Sequence, residues 1–317
     1  MTSPLVSVVI PTFNRAATIV RAVESVLQQT YRPLELIVVD DGSTDGTSEV
    51  LQAYGKAVVY VRQDNAGPAA ARNRGIRESQ GDMVAFLDSD DVWLAAKLER
   101  QVAILERAGP EAPCCLCDTL IRTPDGREQS SFAIAWLRMR EPEGLWLNPA
   151  AVLATRFVLF CQAVLVRRGF LLDCGGFDEQ LWFMEDHDLA LRLALRGPWA
   201  FVREPLAVWC GANDDLNLSV VARKLPGRLD RCIEYIDYKI LERETIADDR
   251  VRKCLQWHLR GARRRLLAER WSARGGVLAQ IGAKGIRQWD RFGRAWFGRS
   301  RSYPMARTAS IPGAVRA

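Results

Sequence analysis

Between residues 5 and 107 short apolar runs alternate with helix-length stretches, and this alternation narrows the possible folds more than any other feature. Leu5–Ile10, Leu34–Val39, Ala57–Arg62 and Met83–Leu87 are each five or six residues long, the length of a strand. The first, second and fourth are apolar enough to be buried on both faces. The segments Ala16–Gln29, Ser48–Tyr54, Gly67–Ser79 and Ala95–Arg107 read as helices. In the first of these, Ile19, Val23, Val26 and Leu27 share one face. Strands alternating with helices predict an α/β fold, a mostly parallel sheet covered on both sides. Ligands of such sheets gather at the carboxyl ends of the strands. Those ends carry the polar sequences Pro11-Thr12-Phe13-Asn14-Arg15, Asp40-Asp41-Gly42-Ser43-Thr44-Asp45-Gly46-Thr47 and Asp88-Ser89-Asp90-Asp91.

The third of these sequences places three carboxylates within four residues. Acids this crowded repel one another unless solvent, a cation or protein donors compensate them. Hard oxygen ligands on a loop suit Mg²⁺ or Mn²⁺, which in such sites links one or two carboxylates to substrate phosphates. The competing reading is a solvated turn whose Asp caps the next helix, but capping needs one acid and not three. Asp40 and Asp41 follow a buried strand, so one can face a ligand while the other ties the loop; an Asx-turn is the alternative. Arg72, near a helix start, either meets a diphosphate or forms a surface ion pair. Glu185-Asp186-His187-Asp188 stands before a helix over Leu189–Leu195 and either caps it or supplies a general base. Gly175-Gly176 permits a tight turn or the close approach of a ligand.

Taken in order, these motifs resemble those of family-2 glycosyltransferases. The resemblance rests on Pro11–Arg15, Val39–Asp45, Asn65-x-Gly67 with Ala71-Arg72-Asn73-x-Gly75, Phe86–Asp91, Gly175–Glu179 and Glu185-Asp186-x-Asp188-Leu189. It covers roughly residues 4–210 and implies the GT-A fold with inverting transfer of a sugar from a nucleotide diphosphate. On this resemblance Pro11, Thr12, Asn14, Arg15, Asp41, Asn65, Arg72 and Asp88 bind the donor, a UDP- or dTDP-sugar, with Asp41 accepting a uracil N3–H. Asp90 and Asp88 hold the metal, Asp186 is the catalytic base and Glu185 orients the acceptor or its loop. Relatives commonly carry a His after the segment ending at Trp209. Here Asn213, Asp214 and Ser219 follow instead, which keeps a catalytically inactive sugar-nucleotide-binding protein in view. Nucleotidyl transfer is a further alternative, opposed by the Glu185-Asp186 motif and by the lack of an N-terminal Gly-rich signature with a Lys.

Charge separates the chain into two parts. Residues 250–301 hold fifteen Arg or Lys against two acids, or +13; the whole chain is +6, which leaves the remainder at −7. The expected organisation is a catalytic domain over 1–215 and a basic, helical C-terminal extension over 216–317 whose last residues, 301–317, are disordered. Val251, Leu255, Leu259, Ala262 and Leu266 form a helical stripe flanked by arginines. Together with the aromatic and basic run Gln288–Phe297, it suits either an anionic membrane surface or an ordinary packed helix. No nucleic-acid module accompanies the charge. Cys114 and Cys117 have metal-like spacing, but Cys115 lies between them and no second pair or nearby His follows, so the eight cysteines read as buried free thiols; only two histidines are present. No secretory leader and no spanning helix are expected. The expectation is a cytoplasmic protein that acts on a glycan or lipid-linked acceptor, peripheral on the inner membrane face where the basic extension meets lipid and not where it packs as an ordinary helix.

Overall fold

Strand β1 (Val6–Thr12) has all seven of its residues buried and lies inside a mixed sheet in the computed structural model. The structure describes residues 3–122, 126–158, 160–210, 227–273 and 305–311. β2 (Leu34–Asp40) and β4 (Met83–Phe86) flank β1 in parallel, with Val9 opposite both Ile37 and Phe86, and β3 (Val59–Arg62) closes that side. The β-branched and apolar residues of β1, β2 and β4 are mostly buried, as a parallel sheet covered by helices requires, whereas β3 is partly exposed. α1 (Ile19–Leu27), α2 (Thr47–Gln52) and α3 (Pro68–Glu78) are the crossovers. α1 buries Ile19, Ala22, Val23 and Val26, spaced three and four apart along one face.

α3 opens on Pro68, whose missing N–H costs nothing in a first helical turn. It comes so close to β1 that a Cβ on Gly75 would lie 2.9 Å from Val9 Cγ2 and would overlap Cγ1. Gly75 is thus a packing requirement of the helix–sheet contact.

After the acidic loop come β5 (Val92–Trp93), α4 (Lys97–Ala108), β6 (Cys114–Arg122), β7 (Glu128–Ser130), α5 (Ser131–Ile134) and β8 (Glu143–Trp146). Beyond α6 (Pro149–Leu153) lie β9 (Val164–Arg167), α7 (Arg168–Asp173), α8 (Glu185–Ala194) and β10 (Trp199–Trp209). The sheet order is β11–β8–β10–β6–β9–β4–β1–β2–β3, where β11 is Thr308–Ala309; β5 and β7 pair off this path with β10 and β6. β9 runs antiparallel between β4 and β6, whereas β6 and β10 are parallel. The architecture is the mostly parallel, helix-flanked sheet expected from the sequence.

Three local expectations change. By its apolar run Phe157–Arg167 reads as one buried strand, but among the described residues the strand is Val164–Arg167, and Cys161–Ala163 is a 3₁₀ turn. Buried apolar runs satisfy the core in either backbone shape, so periodicity does not separate them. Glu185–Asp188 lies within the first turn of α8 and not before it, where acids favour the positive end of the helix dipole. The disorder expected over 301–317 does not hold for 305–311. Thr308 and Ala309 pair with Trp146 and Leu145, and Ile311 is buried. That order comes from an edge supplied by a distant strand, which local composition does not register.

By contact density the chain divides into two units, one formed by Met1–Pro149, Phe157–Asn213 and Ala306–Ala317, the other by Ala150–Arg156 and Asp214–Met305. The first holds the sheet. In the second, α9 (Arg228–Arg243) and α10 (Asp249–Ala273) bury Ile236 and Ile240 together with Val251, Leu255, Leu259, Ala262 and Leu266, the stripe read from the sequence. Arg265 pairs with Asp230 at 2.7 Å and Arg263 with Glu234 at 2.9 Å. The run Gln288–Phe297 lies outside the described residues, and among those described no helix is long and apolar enough to cross a membrane.

Candidate active site

β2 and β3 lie on one side of β1 and β4 on the other, so the chain's connections diverge at β1 and leave a crevice beyond its carboxyl end. Pro11 is in register with Val39 within the ladder, and the carbonyl of buried Thr12 accepts the Asp41 N–H at 2.8 Å. Asn14 adopts a left-handed φ of 53°; its N–H donates to Ser43 Oγ at 2.9 Å and its Oδ1 accepts the Thr44 N–H at 2.8 Å. The first loop is thereby stitched to the second. The Arg15 N–H donates to Thr47 Oγ1, and its guanidinium lies 3.6 Å from Asp90 Oδ2.

Asp40 is fully buried and accepts from Ser43 N–H at 2.8 Å and Tyr60 O–H at 2.6 Å, so it ties the loop. Asp41 accepts from Gln63 Nε2 and Ala66 N–H on Oδ1, at 2.7 and 2.9 Å, and from Gly67 N–H on Oδ2, at 2.8 Å. Its second oxygen therefore has one described donor where a carboxylate oxygen can take two. Asn65 is exposed on the same loop.

Arg72 is the hinge of the electrostatics. Neither a surface pair nor a free cation, it is 5% exposed and bridges Asp88 and Glu185, at 2.7 Å to each. Its guanidinium also lies 5.4 Å from the centre of the Phe177 ring. One buried arginine thus joins the carboxyl end of β4 to the start of α8. Asp91 sits behind them, with its Oδ1 accepting the Cys210 N–H at 2.8 Å and its Oδ2 buried without a partner among the described residues. Burial, then Asp88 and Asp90, push its carboxyl well above the usual range.

Asp186 follows Met184, whose φ of 66° is left-handed and turns the chain into α8. A non-glycine residue in that region is uncommon and clusters at functional sites. The Asp186 carboxyl is pushed up to about 7, first by desolvation and then by the neighbouring Glu185 carboxylate, while Arg72 and the His187 N–H pull it back. A carboxylate titrating there holds a proton near neutrality and releases it readily. Asp188 serves the framework instead. Fully buried, it pairs with Arg192 Nη2 at 2.6 Å, and Arg192 in turn binds the carbonyls of Cys174 and Gly176.

Asn73 belongs to one of the sequence motifs, but its function there becomes visible only in the fold. Its amide clamps Phe177, with Oδ1 accepting the Phe177 N–H at 2.8 Å and Nδ2 donating to the Phe177 carbonyl at 2.9 Å. Gly176, at φ 70°, lies so close that a Cβ there would be 2.5 Å from Asn73 Oδ1. The Gly-Gly pair is a tight turn held from both sides. The signal was a polar residue in an alanine-rich helical stretch.

Asp88 and Asp90 fit a divalent cation in the chemistry of their donors: hard oxygens, partly exposed, on one loop, with Arg72 beside Asp88 and Arg15 beside Asp90. Among the described residues no group of three or more His, Cys, Asp or Glu converges as a complete ligand set, so substrate and water oxygens would fill the remaining positions. Asn213, Asp214 and Ser219, which follow where relatives carry a His, lie outside the described residues.

A family model described as Glycosyl transferase family 2 matches residues 7–165. An uncharacterized glycosyltransferase of Rickettsia prowazekii is 31% identical over 187 residues, 59% of this chain and 58% of its own length. A UDP-Glc:alpha-D-GlcNAc-diphosphoundecaprenol beta-1,3-glucosyltransferase of Escherichia coli is 42% identical over 103 residues, 32% of this chain and 41% of its own. The match thus spans less than two thirds of either relative. The crystal structure of S. aureus TarS 1–349 in complex with UDP-GlcNAc superposes with a TM-score of 0.66 at 19% identity, covering 89% of this chain and 79% of that one. At that identity the likeness bears on the fold, which is GT-A.

Proposed function

This chain belongs to glycosyltransferase family 2, and from that premise we propose that it transfers a sugar, with inversion, from a nucleotide diphosphate to an acceptor hydroxyl. The observation that carries the proposal is the Asp186 carboxyl, raised to about 7 at the start of α8 and joined through Glu185 and Arg72 to the acidic loop. In the proposed step the acceptor oxygen bonds to the anomeric carbon as the bond from that carbon to the diphosphate oxygen breaks. The acceptor proton passes to Asp186, and the nucleotide diphosphate leaves with the bonding electrons.

The remaining roles follow from position. The open lone pair on Asp41 Oδ2 suits a uracil N3–H, and the end of β1 with Pro11 and Thr12, together with the loops carrying Asn14, Arg15 and Asn65, frames the same crevice. Asp88 and Asp90 are the residues that would hold Mg²⁺ or Mn²⁺, which would supply positive charge against that growing on the leaving diphosphate. Glu185 adds to the desolvation that raises the proton affinity of Asp186, and it fixes Arg72. UDP-sugar as donor fits both the Asp41 geometry and the UDP-sugars of the similar proteins. A lipid-linked diphosphate glycan, met at the cytoplasmic face of a membrane, is the acceptor we infer from the E. coli relative's substrate.

The test separates binding from turnover. Asp186→Asn should keep UDP affinity within about twofold in calorimetry, because it lies beyond the donor loops. Its sugar transfer should fall about 10²–10⁴-fold, since the amide cannot accept the proton. Asp90→Ala should lose the Mn²⁺-dependent increment of UDP affinity. Undiminished transfer by Asp186→Asn would remove it from the mechanism. Asp188→Asn is no neutral control, because it breaks a buried ion pair.

A further inference from the structure

We propose that Trp182 and Phe157 form the apolar walls of the acceptor subsite, each stacking on the C–H face of a pyranose ring. The inference rests on the glycosyltransferase reading and extends it to the substrate that the base must face.

Aromatic side chains in the sheet-bearing unit are mostly sealed in its core: Phe86, Phe160, Phe201, Trp146 and Trp199 are fully buried. Trp182 and Phe157 are 44% and 47% exposed. Leaving that much ring in water forgoes hydrophobic stabilisation, so the position of such rings is informative. Phe13, on the loop after β1, and Trp136, just after α5, are exposed as well, whereas Trp182 and Phe157 are the two tied by sequence or contact to the segment of Asp186.

The two selected rings bracket the segment that holds the base. Trp182 stands four residues before Asp186, across the left-handed turn at Met184. A Cβ on Gly67 would lie 3.8 Å from Trp182 Cδ1, and the Gly67 N–H is the one bound by Asp41 Oδ2. The indole therefore lies beside the start of α3. Phe157 packs on His187, the residue after the base, with ring centroids 4.4 Å apart and planes inclined by 54°. The His187 N–H in turn donates to Asp186 Oδ1 at 2.7 Å.

A sugar ring offers an apolar C–H face and a polar hydroxyl rim. Sites for such ligands combine aromatic surface with a few placed polar groups. Here the carboxylate that takes a hydroxyl proton has one half-exposed ring four residues before it and another packed on the residue that follows it, His187. The donor's nucleotide is accounted for by the loops after β1, β2 and β4, so the molecule that meets these rings is the one carrying the reacting hydroxyl.

The probes are methyl glycosides of glucose, galactose, mannose, N-acetylglucosamine and N-acetylgalactosamine, offered to the full chain with UDP and Mn²⁺. Saturation-transfer NMR should show ring C–H protons of at least one glycoside receiving magnetisation from the protein. Trp182→Ala and Phe157→Ala should each weaken that glycoside about tenfold, the scale of one lost aromatic contact. Trp182→Phe should retain it, and UDP affinity and thermal melting should stay unchanged throughout. No saturated glycoside, or undiminished binding by both alanine variants, would overturn the proposal. So would alanine variants that lose binding to anionic vesicles while glycoside binding persists, since the rings would then belong to a membrane contact. Asp186→Asn supplies the separation from the parent reading. If it still transfers sugar while glycoside binding needs Trp182, the base assignment fails and the subsite stands; the reverse pattern sinks the subsite alone.

Discussion

Asp186 keeps its proton near neutral pH because desolvation and Glu185 disfavour its charge, while Arg72 offsets part of both. A general base works when deprotonated, so transfer should rise with pH through about 7. Glu185→Gln removes a neighbouring negative charge and should move this acid limb to lower pH. Arg72→Met removes the compensating positive charge and should move it higher. Measuring kcat against pH for the two variants checks the signs, and shifts in the same direction would sink the electrostatic account. The acids of this site were legible in the sequence because each ends a strand or opens a helix. Their wiring was not. Arg72 reaches Asp88 and Glu185, sixteen and 113 residues away along the chain. Asn73 clamps a turn 104 residues distant. Partners at such separations are chosen by the packed fold and leave no local periodicity.

The first four strands and their crossovers follow from alternation and length, since each element is amphipathic or apolar on its own account. What local pattern does not carry is how closely two elements meet. α3 lies against β1 at Gly75, over Val9, which is fully buried. Gly75→Ala gains about 1 kcal/mol in helix propensity. It also forces a methyl into the Val9 side chain, and overpacking of this kind costs about 1–3 kcal/mol. We expect net destabilisation in denaturant titration, and a smaller cost of the same substitution in a Val9→Ala background. Equal costs in both backgrounds would show that the helix shifts freely. Because α3 also carries Arg72 and Asn73, a shift of this helix should appear in activity before the fold is lost. The 3₁₀ turn at Cys161–Ala163 was misread for the converse reason, since its residues are apolar and buried whatever their backbone does.

At the scale of the whole molecule, charge is divided between an acidic body and the basic stretch over 250–301. Arg250, Arg260 and Arg270 are exposed on α10, which fits attraction to anionic lipid. Reversing all three to Glu should lower binding to anionic vesicles about a hundredfold or more at low salt, at about 1 kcal/mol for each lost cation. Unchanged cosedimentation would remove this helix from the membrane proposal. Shortening the chain is a poorer test, because β11 belongs to the sheet. It covers β8, with Leu147 N–H donating to the Arg307 carbonyl at 2.7 Å. The opposite edge, β3, is only four residues long. Taken away, β11 would leave the backbone of Glu143–Leu147 open to a strand from another molecule, the usual route to edge-to-edge association. Deleting 306–317 should therefore produce a monomer–oligomer equilibrium that shifts with concentration in light scattering, while a variant that stays monodisperse would show the edge to be harmless. Two paired residues at the far end of the chain would then be a guard against self-association, and their loss would be felt in solubility before it was felt in catalysis.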